Sequence, residues 1–251
     1  MSLIAIQSLF GGAGATTVCA NLAAALLRNE QHVMCVDACI WNDLRLWFGM
    51  ARNQHNGWMT HSEQAAESIH ASVARSEFGA KYVPLGEGDF SQDAVLAALS
   101  NATVFDQLPA DDDTLILVNL PSARPEVLAR WLPNLDLALS VWSPDPRVAQ
   151  RLQHFGRNVT TADGGIHDNL FLLENSYAPQ LELNRDISSI IRFQIAEETQ
   201  VPLALPKDQH IPEALAPQQS GFEYSIGAAS NHVYQELAEW VCQHVASKVG
   251  N

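Results

Sequence analysis

Short, almost wholly apolar runs alternate along this chain with longer stretches in which apolar residues recur at every third or fourth position. Residues 115–118, for example, read Leu-Ile-Leu-Val, which is typical of a strand buried on both faces of a sheet. Runs of this kind predict strands at 3–9, 32–36, 81–84, 114–119, 135–141, 169–173 and 201–205. The stretches of helical period predict helices at 16–28, 91–107, 125–131, 146–155, 186–198 and 231–248.

The alternation of strands and helices predicts the fold class. It favours one α/β domain spanning 1–251, with a single doubly wound, mostly parallel sheet and helices on both faces. We expect no domain boundary, because no shift in composition marks one. Residues 206–225 contain three prolines and predict a long surface connection. Ligands of such sheets bind at the carboxyl ends of the strands.

Composition narrows the classes of function. The 251 residues carry a net charge of −14, which argues against the basic surface that nonspecific nucleic-acid binding requires. We therefore expect no nucleic-acid partner, and the longest apolar runs are too short for insertion into a membrane. The four cysteines and the lack of a signal-peptide pattern predict reduced thiols in a cytoplasmic protein.

A glycine-rich loop carries the clearest chemical signal. Residues 10–17 read Phe-Gly-Gly-Ala-Gly-Ala-Thr-Thr, after the strand at 3–9 and before the helix at 16–28. In this setting backbone N–H groups curl around phosphate oxygens, and the helix dipole favours an anion. The sequence therefore predicts a nucleotide phosphate site here, with a tight turn that binds no ligand as the alternative.

The loop lacks the lysine that ordinarily precedes its first threonine, because Ala15 stands there. Losing a charge-assisted hydrogen bond costs roughly 1.5–3 kcal/mol of binding free energy. The residues alone leave three interpretations open: an ATPase, an ATP-binding switch, and a scaffold that has lost both activities.

Several segments carry a resemblance to a known family. Residues 10–17 resemble the deviant phosphate-binding loop of the MinD/ParA ATPases, which has lysine at its first and sixth positions. The runs Val-Met-Cys-Val-Asp-Ala-Cys at 33–39 and Leu-Val-Asn-Leu-Pro at 117–121 are similar to the switch I and Walker B segments of that family. Asn-Asp-Leu-Arg-Leu at 42–46 and Gly-Trp at 57–58 resemble its BcsQ branch, from bacterial cellulose synthesis operons.

This resemblance, which covers nearly the whole chain, implies sites for ATP and Mg²⁺. The phosphates would lie against Gly11, Gly12, Ala13, Gly14, Ala15, Thr16 and Thr17. Thr16 and Asp37 would hold Mg²⁺. The adenine would lie beside Asn175, Pro206 and Asp208. Simpler roles stay open. These are helix capping for the threonines, capping of a following segment for Asp37, a polar loop position for Asn175 and a carboxylate in a proline turn for Asp208.

Several positions depart from the family pattern. Phe10 and Ala15 replace the two lysines, Cys39 replaces the acid that positions the attacking water, and Asn119 replaces the Walker B aspartate. We therefore predict no catalytic residue and little or no hydrolysis, because one transition-state cation alone contributes about 10³–10⁵ in rate. Arg45 or Arg124 as a replacement cation is a further hypothesis.

The resemblance also implies a cellular role. The chain would be a regulatory or assembly subunit of the cellulose synthase secretion complex, acting as a homodimeric ATP switch. Its partners would be BcsR and other secretion subunits, and it would be recruited from the cytoplasm to the inner-membrane complex. The alternatives are a purely structural scaffold, such as a TadZ-like localisation factor, and a slow ATPase. Trp41, Trp47 and Trp58 would form either a satellite of the core or a dimer and partner surface.

Overall fold

The computed structural model describes residues 1–51, 53–60, 71–99, 108, 110–122, 124–161 and 165–249. Its centre is an eight-stranded sheet in the order β3-β4-β2-β5-β1-β6-β7-β8. The strands are β1 (Ser2–Ser8), β2 (Val33–Asp37), β3 (Ala74–Arg75), β4 (Lys81–Val83), β5 (Leu115–Asn119), β6 (Leu137–Trp142), β7 (Leu170–Tyr177) and β8 (Gln200–Pro206).

Every neighbouring pair of strands is parallel except β3 and β4. The doubly wound, mostly parallel sheet expected from the sequence is therefore confirmed. The chain moves from β1 toward β2 on one side and, after β5, toward β6 on the other. The carboxyl end of β1 thus lies at the point where the strand order reverses, which is where open α/β sheets bind ligands.

Helices connect the strands. They are α1 (Ala15–Arg28), α2 (Leu44–Trp47), α3 (Gln92–Leu99), α4 (Pro125–Trp131), α5 (Val148–Val159), α6 (Glu182–Gln194), α7 (His210–Leu215), α8 (Gly221–Tyr224) and α9 (Ala229–Val249). Short 3₁₀ turns follow α4 at Leu132–Asn134 and α6 at Glu197–Thr199.

The two faces of the sheet are buried in separate hydrophobic cores, as the apolar strands require. Alternate side chains of β5 point to opposite faces, so that Leu115 and Leu117 enter one cluster while Ile116 and Val118 enter the other. The first cluster is built around α1 and the predicted apolar stripe of α9, with Leu237 and Val241 fully buried. This packing fixes the amino end of α1 directly after β1.

Some predicted elements were wrong. The segment 206–225 is not an extended connection, because it contains α7 and α8, and α8 begins with a capping box between Ser220 and Glu223. Helix α6 begins at residue 182 rather than 186, and a 3₁₀ turn replaces its predicted end. Strand β7 runs to residue 177 instead of 173. The second half of the helix predicted at 91–107 lies outside the described residues.

Candidate functional site

The loop between β1 and α1 forms an open cradle of backbone N–H groups. Gly12 and Gly14 have φ angles of +90° and +100°, which only glycine adopts without strain. Among the described residues, no group accepts a hydrogen bond from the following N–H groups: Gly11, Gly12, Gly14, Thr16 and Thr17. Gly11 and Gly12 are exposed and have no neighbour near the position of a side chain. Free N–H groups at the start of a long helix are suited to an anion.

Two contacts hold this loop in place. The Ala15 N–H donates to the Ser8 hydroxyl at 2.9 Å, so the residue at the expected lysine position is tied to the end of β1. On the other side, Asn175 donates from Nδ2 to the Ala13 carbonyl at 2.8 Å. A Cβ at residue 14 would lie 2.3 Å from that same Nδ2, so the glycine also makes room for the amide.

Asn175 was predicted beside the adenine, and it lies at the end of β7 on the same edge of the sheet as the loop. The residue is 7% exposed, and its amide braces the loop from within. An adenine contact for Asn175 therefore stays a prediction. The hydrogen bond from Asn175 to the Ala13 carbonyl is a structural contact of the fold.

The two predicted Mg²⁺ ligands, Thr16 and Asp37, both lie within hydrogen-bond distance of the Asn119 side chain. The amide Nδ2 of Asn119 lies 3.2 Å from Thr16 Oγ1 and donates to Asp37 Oδ1 at 2.9 Å. The three residues come from α1, β2 and β5, and the parallel sheet brings the ends of β2 and β5 side by side. The structure therefore brings Thr16 and Asp37 together through the Asn119 amide, and Mg²⁺ binding by the two residues stays a prediction.

Asp37 anchors the segment that follows β2. Its Oδ1 accepts from the Cys39 N–H and its Oδ2 from the Leu44 N–H, both at 3.1 Å. The backbone carbonyl of Asp37 accepts from Trp58 Nε1 at 2.7 Å. Burial raises the pKa of this carboxyl from 3.8 to about 6, against hydrogen bonds that lower it. The capping role that the sequence left open is therefore present in the structure.

The donor set suits phosphate better than Mg²⁺. Magnesium binds oxygen ligands, and Thr16 Oγ1 lies at the edge of the loop, within hydrogen-bond distance of the Asn119 amide. Both oxygens of Asp37 accept N–H groups, the residue is fully buried, and the Asn119 N–H donor stands between it and Thr16. Direct ligation by Asp37 would displace these hydrogen bonds, so this role stays a prediction without support from the geometry.

Cys39 stands where the water-positioning acid is expected. Its thiol approaches the Asn119 carbonyl at 3.6 Å. Burial, together with the charges of Asp37 and Asp43, raises the pKa of Cys39 well above its usual value. The group therefore remains a neutral thiol, which is unable to act as a general base at neutral pH.

Pro206 and Asp208 lie where β8 ends, beside the end of β7. Asp208 accepts from the backbone N–H groups of His210 and Ser230, both at 3.0 Å, and therefore caps the starts of α7 and α9. Partial burial raises the pKa of Asp208, but these bonds and the His210 ring lower it to about 2 overall. Helix capping is therefore the role that the structure shows for Asp208, and its adenine contact stays a prediction.

The two arginines considered as replacement cations are engaged elsewhere. Arg45 pairs with Glu87 at 2.7 Å, and Arg124 pairs with Asp93 and Glu126. The arginine that contacts the loop is Arg147, whose guanidinium lies 4.9 Å from the centre of the Phe10 ring. Sequence reasoning missed Arg147, because the proximity of β6 and β1 in the sheet creates this contact.

The three tryptophans near the end of β2 differ in burial. Trp47 and Trp58 are buried and belong to the core. Trp41 is 78% exposed, and its neighbour Ile40 is exposed as well. These two residues form an apolar tip on the segment that Asp37 anchors, at the same edge of the sheet as the glycine-rich loop.

Comparison with known proteins shows which family the chain belongs to. A family model for the cellulose biosynthesis protein BcsQ matches residues 1–242. The chain belongs to the BcsQ family. The BcsQ protein of Escherichia coli K-12 is 24% identical to it over 247 residues, which make up 96% of this chain and 94% of the relative. The resemblance recognised in the short motifs of this BcsQ-family chain is thereby confirmed.

Solved structures share the fold of this BcsQ-family chain. MinD from Pyrococcus furiosus aligns with a TM-score of 0.73 at 20% identity, covering 96% of this chain and 98% of that one. MinD from Pyrococcus horikoshii, solved in complex with Mg-ADP, aligns with a TM-score of 0.68 at 21% identity, covering 96% and 95%. These comparisons establish the MinD/ParA fold. Within the described residues, no helix is long and apolar enough to cross a membrane.

Proposed function

We propose that this chain acts in bacterial cellulose synthesis as a nucleotide-binding switch with little or no hydrolysis. The observation that carries the proposal is the cradle of free N–H groups between β1 and α1. These N–H groups lie at a helix amino terminus beside glycines of positive φ, which is the arrangement that binds phosphate oxygens. Membership of the BcsQ family supplies the cellular context.

ATP would bind with its phosphates against the loop. The N–H groups of Gly11, Gly12 and Gly14 would contact the phosphate oxygens, and the hydroxyls of Thr16 and Thr17 would face them. Mg²⁺ would be held by Thr16 and by the phosphates themselves. The adenine would lie along the ends of β7 and β8, beside Asn175 and Pro206, where Tyr177 is paired with Pro206.

Slow or absent hydrolysis follows from the substitutions. Neither Phe10 nor Ala15 supplies a cation, and Asn119 supplies an uncharged amide in place of a carboxylate. Cys39 is a buried thiol with a raised pKa and does not activate water. The chemistry that neutralises a transferring phosphoryl group is therefore missing on this side of the site.

The switch would work as a dimer, with two copies facing each other across their glycine-rich loops. The family geometry supports this arrangement, and the exposed tip at Ile40 and Trp41 offers apolar surface for it. The dimer would regulate or assemble the cellulose secretion complex at the inner membrane, with BcsR and other secretion subunits as partners.

Calorimetric titration of Mg-ATP into the purified protein tests the proposal. Binding in the micromolar range, with no steady-state phosphate release, is the expected result. Measurable release that disappears in a Thr16→Ala variant would instead establish a slow ATPase. No heat at millimolar ATP would overturn the switch.

A scaffold without nucleotide is the second candidate. Two observations favour it, namely the Ser8 contact that occupies the Ala15 N–H and the commitment of Asp208 to helix capping. Gel filtration with multi-angle scattering separates the two functions, because a scaffold would keep the same mass with and without ATP, whereas the switch would double it.

A further inference from the structure

The solvent-facing side of α5 is basic in a strongly acidic chain. Arg147, Arg151, His154 and Arg157 recur at intervals of four, three and three residues, which places them on one face of the helix. All of them are exposed. Residues 146–161 contain no acidic residue, although the whole chain has 28 acidic against 14 basic residues.

Most of this positive charge is not neutralised within the described part of the chain. Arg157 donates from Nε to the Gln153 carbonyl at 3.2 Å, which leaves its charge unpaired. No ion pair among the described residues includes Arg151 or Arg157. Arg147 is different, because Asp145 accepts from its Nε at 2.8 Å and from its Nη2 at 2.9 Å.

The basic face adjoins the glycine-rich loop. At its amino end the guanidinium of Arg147 lies over the Phe10 ring at 4.9 Å. One turn further along, Arg151 and His154 line a small cleft whose other wall is the end of β1 at Gln7 and Ser8. Anything bound to this face would therefore lie beside the loop.

We propose that the basic face of α5 binds an acidic segment of a partner protein. Exposed, aligned guanidinium groups without carboxylate partners complement a short run of glutamate or aspartate side chains. A nucleic acid is less suited, because its continuous phosphate charge would extend beyond four residues onto a surface of net charge −14. This proposal stands apart from nucleotide binding and does not rest on it.

Fluorescence anisotropy with labelled poly-L-glutamate and the full-length protein tests the proposal. The test variant is Arg151→Glu with Arg157→Glu. Its matched control is Arg75→Glu with Arg185→Glu, which makes the same change in charge at exposed arginines outside α5. We expect the test variant to lose about tenfold or more in affinity and the control to retain it, with binding that weakens as salt is added.

Asp145→Asn provides a test in the opposite direction. The amide still accepts the Arg147 N–H but no longer neutralises its guanidinium, so we expect poly-L-glutamate to bind several-fold more tightly. The proposal is overturned if wild-type protein does not bind the probe, or if both double variants lose affinity equally. It is also overturned if duplex DNA binds more tightly than poly-L-glutamate, or if sedimentation shows that the test variant instead abolishes self-association.

Discussion

Asn119 donates a hydrogen bond to Asp37 across 2.9 Å, and both side chains are fully buried. Because the Asn119 amide is neutral, it places no second negative charge beside the buried Asp37 carboxylate. The same amide nitrogen lies 3.2 Å from Thr16 Oγ1, so the pair connects the segment after β2 to the glycine-rich loop. Replacing Asn119 with the aspartate of the family motif is therefore expected to change the stability of the protein.

Asn119→Asp is expected to destabilise the protein by about 3 kcal/mol near neutral pH, because it buries a second carboxylate against the first. Urea denaturation measures the change, and acidification should recover part of the loss by protonating the pair. Asn134→Asp is the control, since residue 134 is exposed and the same charge there should cost little. Equal effects of the two variants would contradict the buried contact.

The raised pKa of Asp37 has a defined sign for stability. The folded protein holds this proton up to about pH 6, while the unfolded chain releases it near 3.8, so the stability contribution of Asp37 falls as pH rises through that window. Asp37→Asn removes this dependence. From pH 4 to pH 7, the unfolding free energy of the variant relative to that of the wild type should rise by up to about 3 kcal/mol. Parallel pH profiles would refute the buried titration.

Gly14→Ala should destabilise the fold by about 2–4 kcal/mol and abolish nucleotide binding, because a Cβ would lie 2.3 Å from Asn175 Nδ2 at a φ of +100°. The matched control is Gly156→Ala in α5, where no atom lies within 4 Å of the new methyl group. That substitution should be neutral or stabilising by about 0.5–1 kcal/mol. Chemical denaturation of both variants measures the contrast.

Ala15→Lys tests whether the cradle is a phosphate site. A restored ammonium should raise ATP affinity by about tenfold or more, because a charge-assisted hydrogen bond contributes roughly 1.5–3 kcal/mol. Ala15→Met places a side chain of similar length there without charge and should not raise the affinity. The same calorimetric titration serves for all three proteins, and identical behaviour of the lysine and methionine variants would speak against bound phosphate.

Trp41 should report the dimer. Trp47, Trp58, Trp131 and Trp142 are buried and Trp240 is partly buried, so Trp41, at 78% exposure, should contribute most of the emission that acrylamide can quench. Trp41→Phe should remove most of the quenchable fraction, and Mg-ATP should shield it in wild type if two copies meet at this tip. Quenching that stays the same with and without nucleotide, at concentrations that saturate binding, would exclude Trp41 from the interface.

The sequence by itself determined the fold class and the place of the glycine-rich loop in the fold. Strands with wholly apolar runs, such as the one at residues 115–118, have to be buried on both faces, and this predicts a parallel sheet with the glycine-rich loop at its carboxyl edge. The sequence also showed that Phe10, Ala15 and Asn119 lack the charges of the family motif, because aligning a motif requires no coordinates. The prediction for 206–225 was wrong, since Pro206 ends β8, Pro212 lies in the first turn of α7 and Pro217 follows the end of α7.

The tertiary structure alone decided what the surviving polar groups contact. Asp37 and Asp208 each combine a hydrogen-bond partner two residues away with one in a distant element, whereas Asn175 donates to Ala13 in the glycine-rich loop. The bond from Asn175 to Ala13 and the stacking of Arg147 on Phe10 join residues more than a hundred positions apart. Local sequence patterns do not predict these contacts, because the residues meet only when parallel strands bring their carboxyl ends to one edge of the sheet.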